Sequence, residues 1–233
     1  MADMRKERRI SQDTPPFVVV EGVDGAGKSS HLAALAATLA DQGWSVVTTR
    51  EPGGTDLAEA CRALLLNHAG GMDAVTETLL ALAARRDHVR RVIVPALQDG
   101  RAVLCDRFND STWAYQMSQI PDTDRLALHQ AEDLARAGRR PDLVLLFDVP
   151  AAVSRARLAA TSKTPDRFEG RDQAYFEAVR AAYHARVAAD PDRYAVIDAT
   201  QPLPAVRVAA CQAIVRRFTA PPKVRPRRPR EYP

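Results

Sequence analysis

Cysteine is scarce: Cys61, Cys105 and Cys211 are the only three in 233 residues, with no CxxC pair among them. A disulfide framework and a zinc site are both disfavoured, and small packing thiols are expected instead. Uninterrupted apolar runs are also missing. Arg, Asp or Gln breaks each helix-like stretch well before the length that spans a bilayer, so no membrane partner is expected. Residues 1–12 are charged and hold no apolar segment of the signal-peptide kind, which makes a cytoplasmic location the expectation. His31, His68, His88, His129 and His184 show no metal-ligand spacing. The formal charge of +4 belongs to the ends of the chain. Residues 1–13 carry a net +1 and residues 219–233 a net +4, leaving the body near −1. Residues 1–14 and the Pro-broken basic stretch 219–233 are expected to be disordered extensions of one domain over 15–218. A nucleic-acid partner is not favoured, since the tail alone would supply its contact.

What is present is an alternation. Short β-branched runs at 17–20, 45–49, 102–105, 143–147 and 194–197 read as buried strands. Between them lie helical patterns: 29–40, closed by Gly43; 56–66; 74–97, with Asp73 as cap and Pro95 near its end; and 111–117 with 123–137. Further helices are read at 151–160, 172–189 and 204–218, while 161–171 has no strong pattern. Strands alternating with helices predict an α/β fold, a parallel sheet covered on both faces.

After the first strand comes Gly22-Val23-Asp24-Gly25-Ala26-Gly27-Lys28-Ser29, followed by Ser30, which fits G-x-x-x-x-G-K-[ST] in its strand–loop–helix context. Glycines let backbone N–H groups converge on phosphate oxygens at a helix N-terminus. Lys28 supplies a point charge to the β and γ phosphates, and Ser29 a hydroxyl ligand for Mg²⁺. The loop predicts ATP with Mg²⁺. The absence of NKxD argues against a GTPase.

Two more segments sit at strand ends, where ligands of such folds bind. Thr49-Arg50-Glu51-Pro52-Gly53-Gly54-Thr55 places an arginine beside a tight turn, and Asp106-Arg107-Phe108 pairs an acid with a second arginine. Two fixed arginines beside a phosphate loop suggest a clamp for a second phosphate group.

At this point the chain resembles the thymidylate kinase family of nucleoside monophosphate kinases. The matching segments are EGVDGAGKSS (21–30), TREPGGT (49–55), AAR (83–85), DRFNDSTWAYQ (106–116), RPDLVLLFDVP (140–150), DRFE (166–169) and VIDATQPL (196–203). The resemblance implies a P-loop NMP-kinase three-layer sandwich with strand order 2-3-1-4-5, a homodimer, and ATP + dTMP → ADP + dTDP. It also implies roles. Asp24 touches the acceptor sugar and sits near the metal with Asp106, and Arg50 and Arg107 hold the acceptor phosphate. Arg85 reads the pyrimidine edge, Ser111, Thr112 and Gln116 contact the base, and Tyr115 crowds out a ribose 2′-OH.

Three departures qualify the resemblance. Position 25 is Gly where some relatives carry Arg, which shifts the cationic burden to a lid at about 157–171. There Arg157 is expected to pack adenine, Arg167 to face phosphate, and Lys163 and Arg171 to be further cations. Ala81 stands where the family has a stacking aromatic, with Trp113 or Phe108 as candidate substitutes. Met117 opens a segment that is glycine-rich in bacterial relatives, and both changes are expected to touch the acceptor pocket. Two other functions therefore stay open: a kinase for another or modified deoxynucleoside monophosphate, and a catalytically weak nucleotide-binding member.

Overall fold

The computed structural model describes residues 14–161 and 166–218. Its centre is a five-stranded sheet: β1 Phe17–Glu21, β2 Val46–Arg50, β3 Ala102–Asp106, β4 Leu143–Asp148 and β5 Tyr194–Asp198. Every pairing is parallel and the order is β2-β3-β1-β4-β5. Both the sandwich and the strand order are as expected.

Period-two alternation divides the strand residues between two cores. Val18, Val20, Leu104 and Leu145 face one side, with Leu35, Leu39, Phe176, Tyr183 and Ile214. Phe17, Val19, Val103, Cys105 and Val144 face the other, with Val89, Ile93 and Phe108. The helices covering them are α1 Leu32–Asp41, α2 Asp56–Asn67, α3 Ala74–His88, α4 Val94–Gln98, α5 Asn109–Tyr115, α6 Asp122–Ala135, α7 Ala151–Ala159, α8 Gln173–Ala189 and α9 Leu203–Phe218. Among the described residues no helix is long and apolar enough to cross a membrane.

Local chemistry sets the helix starts. Asp73 accepts from the Val75 and Thr76 amides, Thr55 from Ala58, and Asp172 from Tyr175. Most boundaries fall within two residues of the sequence pattern, and two differ in kind. The loop Gly27 leads into a 3₁₀ turn, Lys28–Ser30, before α1 begins. The expected single helix over 74–97 is interrupted by a π-turn segment, Val89–Ile93. Pro95 lies in the first turn of α4, and its ring cannot donate to the preceding turn, so the widened turn accommodates it.

Candidate active site

The phosphate loop is anchored by the side chains it buries. Val23 and Ala26 are both 2% exposed and join the core, so the loop offers solvent its backbone. Gly22 (φ +139°) passes over β4, where a Cβ would fall 2.4 Å from the Phe147 carbonyl oxygen. Lys28 curls back and donates to the Gly22 and Val23 carbonyls at 2.8 and 3.0 Å. Burial first, then repulsion by Arg107, bring its pKa down to about 8 against the pull of Asp24, Asp106 and Glu21. An arriving polyphosphate restores its full charge. Ser29 and Ser30 are exposed.

Asp24 connects this loop to a second cavity. One carboxylate oxygen accepts from Arg107 and the other from the Tyr115 hydroxyl at 2.9 Å. Burial alone would raise its pKa, but Arg107, Lys28 and these hydrogen bonds hold it at about 2. Arg107 has φ +69°, a conformation few side-chain-bearing residues adopt, and this turns its guanidinium inward from the end of β3. It donates as well to Ser111 Oγ and the Tyr183 hydroxyl, and lies over the Tyr115 ring at 5.0 Å. Underneath, buried Glu21 accepts from the Phe108 and Ser111 amides, Ser111 Oγ and the Tyr183 hydroxyl, fixing the start of α5. Burial, reinforced by Asp110, pushes its pKa up to about 7.

The cavity beyond Asp24 and Arg107 is open to solvent and lined also by Arg62, Ala81, Arg85, Ser111, Thr112, Tyr115, Gln116 and Phe168. Arg85 is 2% exposed. Its Nε donates to Glu51 at 2.7 Å and its Nη2 to Thr112 Oγ1 at 2.9 Å, while Nη1 has no partner among the described residues. Arg62 carries a lowered pKa because burial and then the like charges of Arg50 and Arg107 press on it. Three cations so placed mark a seat for an anion. At the end of β3, the buried Asp106 Oδ1 also lacks a partner among the described residues.

A sequence model of the family described as Thymidylate kinase matches residues 20–209. The chain belongs to the thymidylate kinase family. It is similar to the thymidylate kinase of Paracidovorax citrulli, 48% identical over 209 residues, covering 86% of this chain and 93% of that one. For Bordetella petrii the identity is 49% over 192 residues, covering 82% and 90%. For Pseudomonas entomophila it is 50% over 195 residues, covering 83% and 91%.

Within this thymidylate kinase framework most expected residues converge. Asp24, Arg85, Arg107, Ser111, Thr112, Tyr115 and Gln116 all line the cavity. Arg50 does not: it forks onto both Glu59 oxygens at 2.8 and 2.9 Å and is 43% exposed. Arg62, one helix further on, holds the cavity position. Its only signal in the sequence was an arginine next to the apolar stripe Ala58, Cys61, Leu65, and the structure half-buries it there. Arg157 donates to the Ala199 carbonyl beyond β5. Arg167 pairs with buried Glu77 at 2.8 Å and donates to the Leu65 carbonyl, so it leans toward the acceptor side. Arg171 lies over the Tyr175 ring. Lys163 lies outside the described residues.

The three departures resolve differently. A Cβ on Gly25 would fall 2.5 Å from the Ser154 carbonyl oxygen, at φ +79°, so α7 occupies the space a side chain would need. Ala81 does face the cavity. Met117 does not: it is fully buried with Ile120 and Leu128, which corrects the expectation that its segment touches the acceptor pocket. Trp113 packs beside that cluster and stacks on His129. Phe108 lines the cavity but carries Arg85 over its ring at 4.9 Å, and Phe168 adds an aromatic wall that the sequence reading left unassigned.

Proposed function

We propose that this chain transfers the terminal phosphoryl group of ATP to dTMP, yielding ADP and dTDP, by direct in-line transfer with Mg²⁺. The observation that carries the proposal is Asp24, which belongs to the phosphate loop yet lines the second cavity locked to Arg107. Donor and acceptor phosphates therefore meet at one wall. No general base is needed, because a phosphate monoester with its second pKa near 6 is already largely dianionic at pH 7. The barrier is charge repulsion, and cations with fixed geometry lower it.

Lys28 neutralises the β and γ phosphates, and Arg107 with Arg62 receives the acceptor phosphate. The unpartnered Nη1 of Arg85 reads the pyrimidine edge beside Ser111, Thr112 and Gln116. Tyr115, held by Asp24, stands against the sugar. Arg50 stands behind the clamp on Glu59, Arg157 borders the adenine end, and Arg167 reaches an ATP phosphate by exchanging Glu77 for it. Ser29 and the partnerless Asp106 Oδ1 fit a Mg²⁺ ion that arrives on ATP and takes few protein oxygens, with Asp24 behind them because both its oxygens are engaged. Held there, the ion would supply Lewis-acid stabilisation of the charge on the transferred phosphate.

ADP release coupled to a reporter, with ATP-Mg²⁺ and each of dTMP, dUMP, dCMP, dGMP and dAMP, tests the reading. Turnover is expected with dTMP, and turnover only with a non-thymine acceptor would sink it. The methyl of Ala81 on the cavity wall is the observation favouring that second reading.

We also propose a homodimer. Leu57, Leu64, Leu79, Leu126 and Leu134 are 49–70% exposed on α2, α3 and α6, which pack side by side. Sedimentation is expected to give twice the 25.5 kDa chain mass, and a monomer at micromolar concentration would refute this.

A further inference from the structure

One buried cluster beside the cavity plays no part in the reading above. His88 ends α3, is fully buried, and sits where the helix passes into the π-turn. Its Nδ1 lies 2.9 Å from Glu51 Oε1 and its Nε2 lies 2.7 Å from Thr49 Oγ1. The other oxygen of Glu51 accepts Arg85 Nε. Gly54 makes room for the ring, since a Cβ there would fall 2.6 Å from His88 Cδ2 at φ +85°.

We infer that His88 is a positioning residue for the acceptor: it pins the Glu51 carboxylate, and through it the guanidinium of Arg85, without touching nucleotide. A glutamate carboxylate turns freely about its last torsion when one oxygen alone is engaged. The bond from His88 to the second oxygen fixes the carboxylate plane, which fixes the direction of Arg85 Nε. With Nη2 held by Thr112, the remaining nitrogen is a buried donor without a partner among the described residues, on a side chain that lines the cavity. Nδ1–H donates to Glu51, and Nε2 meets the Thr49 hydroxyl, which can serve as donor or acceptor. The same ring ties the end of β2 to α3, so the arginine-bearing loop and the base reader move as one body.

The inference rests on the dTMP reading, and the test separates the two. In His88→Asn the amide nitrogen replaces Nδ1 and keeps Glu51; in His88→Gln it reaches the place of Nε2 and keeps Thr49 only. His88→Gln and His88→Leu are expected to raise KM for dTMP roughly ten-fold, the scale of a lost hydrogen bond to a charged group, with KM for ATP unmoved. His88→Asn is expected to restore most of that loss. A purely structural ring would reverse the order, because glutamine matches its volume better; glutamine performing as well as asparagine overturns the inference, as does wild-type KM in all three. Circular dichroism reports folding, and if the leucine variant fails, the asparagine–glutamine pair still decides. A wild type that turns over another deoxynucleotide sinks the dTMP reading, and the same split on that acceptor decides His88. A wild type inert toward all five overturns both.

Discussion

The phosphate loop and the neighbouring cavity meet at Asp24 and are built by opposite means. The loop is backbone: its glycines allow the turn, Val23 and Ala26 anchor it, and eight consecutive residues contain nearly all of it. The cavity is side chains. Asp24, Arg62, Arg85, Arg107 and Phe168 come from separated segments, and buried carboxylates at Glu21, Glu51 and Glu77 hold the cluster in place. A backbone site depends on packing behind it, whereas a side-chain site depends on charges that must balance before any ligand arrives.

The largest effect that separates the two is expected at Arg107, the cavity residue that locks onto the loop's Asp24. Arg107→Ala removes the cation proposed above to receive the acceptor phosphate and strips Asp24 of its main partner. The kcat/KM for dTMP should fall by roughly a thousand-fold or more. ATP binding measured by calorimetry should change little, because the loop's own contacts remain. Near-normal turnover in a folded Arg107→Ala protein would dissolve the distinction between the halves.

This contrast explains what could be read from the sequence. The five strands, their order through the family resemblance, and the loop were legible because each depends on neighbours in the chain. Arg107 was legible because it directly follows a strand end, whereas the roles of Asp24, Arg85 and the α5 residues were legible only through the family resemblance. Arg62 and Glu77 were not, since each acts across a gap that only packing closes. Arg50 and Arg62 illustrate the limit: both are arginines near one turn, and the bond to Glu59 decides which faces the cavity. The π-turn before Pro95 escaped for a similar reason, because a proline near a helix end predicts an end more readily than a widened turn.

A smaller effect, confined to the buried scaffold, is expected at Glu21. Its pKa of about 7 lies above the ordinary carboxylate value of 4.5. The folded protein therefore binds more protons than the unfolded chain between those values, and this group's contribution to stability is lost as pH rises through 7. In Glu21→Gln the oxygen can keep the two amides while the amide nitrogen donates to the rotatable hydroxyls of Ser111 and Tyr183. The Tm difference, variant minus wild type, should grow by on the order of 5 °C from pH 5 to pH 8. A difference flat across that range would mean that Glu21 enters the fold already charged and fully compensated.

The smallest effect probes the wall where the two regions are least matched. Ala81 lies one helical turn before Arg85 on the same face of α3, so a larger side chain there projects beside the guanidinium. Phe108 cannot stack freely on a base while Arg85 lies over its ring, and Tyr115 is engaged by Arg107 in the same way. An aromatic ring at 81 would be a free face in a cavity that otherwise offers few. Stacking of this kind contributes about 0.5–1.5 kcal/mol. Ala81→Phe should therefore lower KM for dTMP by roughly two- to ten-fold, leave kcat and KM for ATP in place, and do nothing for the purine acceptors, whose larger bases need the space the ring takes. A rise in KM for dTMP would show instead that Phe168 already closes the pocket on the base, and that the methyl at 81 is what makes room for it.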